Sequence, residues 1–120
     1  MPIAMYGIRN CDTVKKARAW LESRRVDYTF HDLKAKDGFS REDLERWCKA
    51  LGWEAVFNRN SATFRKLPDV QKEGITKSKA IAMMLEQPSM IKRPVLDLGE
   101  DQFLLGFKPD EYERAVGKSR

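Results

Sequence analysis

Cysteine and histidine are scarce in this chain: its 120 residues hold two cysteines, Cys11 and Cys48, and one histidine, His31. Two cysteines cannot staple a small secreted domain, and one histidine does not complete a Cys/His ligand set for zinc. No metal site and no tightly bound cofactor are expected. A Cys-x-x-Cys pair is also missing, since the third residue after Cys11 is Val14. No apolar run approaches the roughly 20 residues that span a bilayer. The opening Met1-Pro2-Ile3-Ala4-Met5-Tyr6 lacks the basic and long apolar regions of a secretory signal. A cytoplasmic protein with reduced thiols is therefore expected. Internal repeats, linkers and low-complexity runs are absent, so residues 1–120 read as one domain.

What is present is ordinary for a globular protein: 42% hydrophobic and 34% charged residues, with a net charge of +5. Acids and bases alternate, as in Ser40-Arg41-Glu42-Asp43-Leu44-Glu45-Arg46. A nucleic-acid binder gathers its charge on one face, so neither nucleic acid nor membrane is expected as a partner. A local basic pocket for a small anion remains compatible with this composition.

Apolar patterning gives the order of elements. Residues 3–8 form a β-type run, and Val14, Ala17, Trp20 and Leu21 then recur at helical spacing over 12–24, with Asn10, Asp12 or Thr13 as capping candidates. Residues 26–33 read as a second strand, which makes a right-handed βαβ unit with a parallel pair. Asp37-Gly38 marks a turn, Ser40 and Asp43 a helix start, and Gly52 a stop; Leu44, Trp47, Cys48 and Leu51 share that helix's apolar face. Residues 57–68 read as loop, 76–86 as a helix ended by Pro88, and 95–98 with 102–106 as a hairpin around Gly99-Glu100-Asp101. Pro109 begins a last helix. The fold class is α/β: a mixed sheet in the order β-α-β, a helical insertion over about 38–90, then β-β-α.

Cys11 falls where the first strand hands over to a helix. The unpaired N–H groups of a helical first turn, with the positive end of its dipole, favour an anion there, and Arg9, Lys15 and Lys16 add positive charge. The thiolate is the nucleophilic form of cysteine, so Cys11 is the candidate catalytic residue. Cys48, on an apolar stripe, reads as a small core hydrophobe. With no second cysteine at position 14, the resolving thiol must be external, and glutathione is the natural co-substrate. His31 reads as a strand-end residue rather than a base, and Trp20, Trp47 and Trp53 as core or partly buried.

The run Tyr6-Gly7-Ile8-Arg9-Asn10-Cys11-Asp12-Thr13-Val14-Lys15-Lys16-Ala17 resembles the active-site start of the arsenate reductase (ArsC) family, and more narrowly its YffB branch, close to the Spx regulators. Three further blocks carry the resemblance in order along the chain: Asn58-Arg59-Asn60-Ser61-Ala62-Thr63-Phe64-Arg65-Lys66-Leu67, Gln87-Pro88-Ser89-Met90-Ile91-Lys92-Arg93-Pro94-Val95 and Gly106-Phe107-Lys108-Pro109. The resemblance implies a thioredoxin-like (glutaredoxin-like) core and a cysteine thiolate beside an oxyanion-binding cluster of arginines. It implies anion-binding roles for Arg93, Arg59 and Lys108, with Asn10, Thr13 and Lys15 around the thiol, and a cis peptide bond at Pro94. The family's first arginine falls in the Asn58–Arg59 region, with Arg59 as its stand-in. The third corresponds to Lys108, and lysine lacks the planar two-pronged grip of a guanidinium. That substitution weighs against arsenate and toward thiol transfer.

Three functions follow as expectations. The first is a glutathione-dependent thiol reductase in which Cys11 forms a mixed disulfide that glutathione resolves. The second is an arsenate reductase served by glutathione and glutaredoxin, and the third an Spx-like regulator that binds RNA polymerase. The substrate is a disulfide or an oxyanion, and a monomer is expected.

Overall fold

A computed structural model describes residues 2–116. Four short strands, β1 (Ala4–Gly7), β2 (Thr29–Asp32), β3 (Val95–Asp97) and β4 (Phe103–Leu105), form one sheet in the order β2-β1-β3-β4. β1 runs parallel to β2, from Ala4 opposite Thr29 to Gly7 opposite Asp32. β3 is antiparallel to β1 and to β4. The parallel pair is bridged by α1 (Asp12–Ser23). Between β2 and β3 lie α2 (Arg41–Leu51), three single turns α3 (Trp53–Val56), α4 (Ala62–Arg65) and α5 (Asp69–Lys72), and α6 (Lys77–Glu86). α7 (Pro109–Ala115) follows β4.

Strand alternation sorts the core into two halves. Met5 and Leu96 point to one face, where Val14, Ala17 and Leu21 of α1 and Tyr112 of α7 cover them. Tyr6, Val95 and Phe103 point to the other, beneath Leu44, Trp47 and Cys48 of α2 and Ala80, Ile81 and Met84 of α6. The sheet is thus the middle of three layers. Each large apolar side chain buried in either half contributes about 1.5–3 kcal/mol against exposure.

Local chemistry explains the element ends. Ser40 Oγ accepts from the Asp43 backbone N–H at 3.0 Å while Asp43 Oδ2 accepts from the Ser40 N–H at 3.0 Å, a complete capping box for α2. Gly52, at φ 89°, ends that helix. Arg46 ties α2 to the β3–β4 hairpin: its guanidinium lies 3.1 Å from Asp43, 3.7 Å from Asp97 and 3.4 Å from Asp101.

Several local readings are corrected. The first helix is capped by none of Asn10, Asp12 and Thr13; Cys11 itself is the N-cap, with extended backbone (φ −134°) and no side-chain capping bond. The stretch 57–68 is not all loop, because Ser61 Oγ accepts from the Phe64 N–H at 3.1 Å and starts α4, a helix too short to show a period in sequence. The second strand begins at Thr29 rather than residue 26, the chain from Arg24 to Val26 being used to turn off α1 through bonds to Trp20, Leu21 and Glu22 carbonyls.

Candidate active site

β1 ends at Gly7, and four residues later Cys11 opens α1. The hand-over is tight: a Cβ on Gly7 would lie 2.9 Å from Val14 Cγ2 and 3.1 Å from Cγ1. Glycine therefore lets the buried Val14 in the first turn of α1 seat against the end of β1, which fixes Cys11. The Lys15 N–H donates to the Cys11 carbonyl at 2.9 Å, so Cys11 stands at the head of a first turn whose leading N–H groups have no helical acceptor.

Cys11 is half-buried and lines a cleft of about 780 Å³. Its neighbours in the lining come from distant segments: Thr13 from α1, Asn58 and Asn60, Lys92 and Arg93, and Lys108 with Glu111. Phe103 to Phe107 form the remaining wall with Leu51 and Ala55. Three cations and one carboxylate thus face the space beside the thiol, which makes it suited to a small anion.

Arg93 is positioned by the turn before it. Its Nη1 donates to the Ser89 carbonyl at 2.8 Å and to the Ile91 carbonyl at 3.3 Å. Ser89 is tied in turn to Thr63 through their hydroxyls at 2.6 Å. The strip 56–58 pairs with 90–92: the Asn58 N–H donates to the Met90 carbonyl at 2.7 Å and the Lys92 N–H to the Val56 carbonyl at 2.8 Å. This pairing sets Asn58 opposite Met90, and Asn58 and Arg93 both line the cleft. Arg93 Nε is buried and has no hydrogen-bond partner among the described residues. A buried donor left unpaired costs about 1–3 kcal/mol, which an anionic oxygen would offset. The Arg93–Pro94 peptide bond is cis.

The structure thus gathers Cys11, Thr13, Arg93 and Lys108 of the residues singled out in sequence. It does not bring the others to the cleft wall. Asn10 and Lys15 are exposed beside it. Arg59 sits over the Phe57 and Phe64 rings at 5.7 and 5.9 Å from their centroids, and Asn58 and Asn60 take its place in the lining. Arg9 stands over Phe30 at 5.0 Å and 3.9 Å from Asp32, so it is directed at the β2 side. The positive charge of the cleft therefore comes from Lys92, Arg93 and Lys108. Lys92, Asn60 and Glu111 were not found in sequence as site residues, and only their flanking of Asn58, Arg93 and Lys108 pointed to them.

Cys48 is a different kind of thiol. It is 3% exposed and packs on the opposite face of the sheet from Cys11. Burial pushes its pKa up, with Lys77 opposing and Glu45 adding to the shift. Cys48 is thus no internal resolving partner. His31 stacks on Tyr6 at 4.7 Å, away from Cys11. Among the described residues no group of three or more His, Cys, Asp and Glu side chains is placed to hold a metal ion, and no helix is long and apolar enough to cross a membrane.

Residues 6–115 match the model of the ArsC family, a span that holds Cys11, Arg93 and Lys108 together. The chain belongs to the ArsC family. Within it, a solved YffB protein is 55% identical, with 95% of this chain and 98% of that one covered and a TM-score of 0.89. A solved ArsC-related protein of Brucella melitensis is 49% identical over 95% of this chain and 93% of its own, with a TM-score of 0.76. The global transcriptional regulator Spx of Streptococcus pyogenes is 31% identical over 104 residues, 85% of this chain and 75% of that protein. A glutaredoxin of Archaeoglobus fulgidus, at 15% identity and a TM-score of 0.52, shares the fold alone and marks the ArsC core as thioredoxin/glutaredoxin-like. The ArsC-family fold is the common ground of these likenesses.

Proposed function

We propose that this chain is a glutathione-dependent thiol reductase with a single nucleophilic cysteine, Cys11. One observation carries the reading: the half-buried Cys11 opens a helix on the wall of a cleft that also holds Lys92, Arg93 and Lys108. The cations fit the two carboxylates of glutathione, and Glu111 fits its ammonium. In the first step the Cys11 thiolate attacks the glutathionyl sulfur of a mixed disulfide. The Cys11–glutathione disulfide forms, and the substrate cysteine leaves as a thiolate that takes a proton from water. A second glutathione thiolate then attacks the glutathionyl sulfur on Cys11. Glutathione disulfide leaves and the Cys11 thiolate is restored. The sum is one mixed disulfide and one glutathione converted to one thiol and one glutathione disulfide.

The test is mass analysis of the protein treated with glutathione disulfide, together with turnover of the cysteine–glutathione mixed disulfide. The expected result is one glutathionyl group, on Cys11, with turnover that Cys11→Ser abolishes. A protein that takes up no glutathione, or takes it on Cys48, overturns the reading. Saturable, Cys11-dependent formation of arsenite from arsenate would place the oxyanion in the cleft instead and bring in glutaredoxin as final reductant.

A regulator without turnover is the second reading, favoured by the 31% identity to Spx. It predicts recovery of RNA polymerase on the immobilised protein at physiological salt, and recovery of none would remove it.

A further inference from the structure

The chemistry above uses the basic end of the cleft and leaves the wall built by β4 without a role. β4 is the outer strand of the sheet, and among the described residues no strand pairs with its far side. Its ladder with β3 fixes which backbone groups are spent. The Gly106 N–H donates to the Pro94 carbonyl at 2.9 Å, and the Leu98 N–H donates to the Gln102 carbonyl at 2.9 Å. Residues 102, 104 and 106 therefore face β3, because hydrogen-bonded pairs alternate along an antiparallel ladder. Phe103 and Leu105 stand opposite Asp97 and Val95 in the intervening pairs, so their N–H and C=O groups face away from the sheet.

The cleft passes over this edge. Leu105 packs with the core half under α2, Leu104 with the half under α1, and both line the same space. Phe103, at the start of β4, lines the space as well, so the wall runs along the length of the outermost strand and not at its Gly106 end alone. Gly106, at φ 72°, then turns the chain so that Phe107 and Lys108 lead on toward the Cys11 end.

We propose that the free edge of β4 is a docking strip for an extended segment of a glutathionylated protein, which pairs as an added strand with the backbone of Phe103 and Leu105. The proposal rests on the thiol-reductase reading. Charge chooses the occupant. The glutathionyl group, carrying two carboxylates, belongs among Lys92, Arg93 and Lys108, and the polypeptide disulfide-linked to it is carried out of that basic end along β4. Main-chain pairing supplies affinity without demanding one sequence, as strand addition does elsewhere. The half-buried Leu104 and Leu105 give the incoming side chains an apolar floor on either face. The bond changes are those of the first step above, with the protein cysteine as the leaving thiolate.

The test is a backbone scan. A glutathionylated peptide of about nine residues with a central cysteine is N-methylated at one position at a time, and kcat/KM is measured for each with the wild-type protein. In an added strand every second N–H faces β4. Methylation is expected to lower kcat/KM at least tenfold at alternate positions on one side of the cysteine and by less than twofold at the positions between. Turnover of the cysteine–glutathione mixed disulfide, whose leaving thiol carries no polypeptide, is the control. A scan without alternation, flat or uniformly depressed, overturns the docking strip while that control turns over. Peptide turnover that falls as protein concentration rises, as it would if a second copy occupied the edge, overturns it as well. No turnover of either substrate overturns the reductase reading itself.

Discussion

Replacing Gly7 by alanine tests the link between packing and the position of the thiol. An alanine Cβ would meet Val14 Cγ2 at 2.9 Å and Cγ1 at 3.1 Å, against the 3.5–4.0 Å at which carbon atoms rest. Val14 is fully buried among Met5, Ala17, Leu21 and Leu96. As a β-branched residue on a helix it has essentially one rotamer. The overlap of about 0.5–1 Å therefore has to be relieved by moving the start of α1, and Cys11 moves with it. Overpacking of this kind costs about 1–3 kcal/mol. A displacement near 1 Å at a reacting group costs up to about a hundredfold in rate. Urea unfolding followed by tryptophan fluorescence and mixed-disulfide turnover report the two effects. Val14→Ala alone removes two buried methyl groups and costs about 2 kcal/mol. In the double variant the clash is gone, so its loss of stability should fall short of the sum of the single losses by about 1–3 kcal/mol, with turnover recovering toward wild type. Additive losses, or a Gly7→Ala protein within 0.5 kcal/mol of wild type, would refute the account.

Cys48→Ala should keep full mixed-disulfide turnover, and Cys48 should resist alkylation in the folded protein. The burial that raises its pKa also gives a pH signature. The unfolded thiol ionises above about 8.5 and the buried folded one only at higher pH, so the unfolded state binds fewer protons there and the Cys48 contribution, complete below that pH, declines as pH rises above it. The stability gap between wild type and Cys48→Ala should then narrow between pH 8 and 10 in urea titrations, and a gap that widens would contradict the burial argument. Arg93→Lys should lower kcat/KM for glutathione at least tenfold, since an ammonium lacks the separate planar donors by which Nη1 holds the Ser89 and Ile91 carbonyls while Nε is left for an anion, and charged hydrogen bonds are worth about 1.5–3 kcal/mol. Arg59→Ala should change it by less than about twofold, and the reverse order of the two effects would move the anion site. Ser40→Ala should cost about 1 kcal/mol of stability by opening the α2 capping box, with no change in turnover; a neutral substitution would mean the box is redundant.

Much of this architecture was legible because its signals are local. Ser40 with Asp43 marks a helix start that needs no knowledge of the rest of the chain, and the Leu44–Trp47–Cys48 stripe announces a buried face, so the two cysteines could be told apart before any fold was known. The cleft was less legible because it is assembled from four distant segments. Glu111 looks like any first-turn acid on α7, and Lys92 like any surface lysine. Arg59 lies on aromatic rings rather than in the cleft because Phe57 and Phe64 happen to flank it in space, and no spacing rule states which way a side chain leaves a turn. The short helices between 53 and 72 fell below the length at which a period can be seen.

The placement of Cys48 across the sheet from Cys11 fixes how the protein would sense its surroundings. A protein that closes an internal disulfide consumes one glutathione disulfide and releases two glutathiones. Its state follows the square of the glutathione concentration, so it responds to the size of the pool as well as to its balance. A lone thiol exchanges one for one. On the glutathione-dependent reading proposed above, the fraction of Cys11 carrying glutathione would depend only on the ratio of disulfide to thiol and stay unchanged when the pool is diluted or enlarged at constant ratio. Geometry alone, by keeping the second sulfur out of reach, would make this chain a gauge of balance rather than of amount.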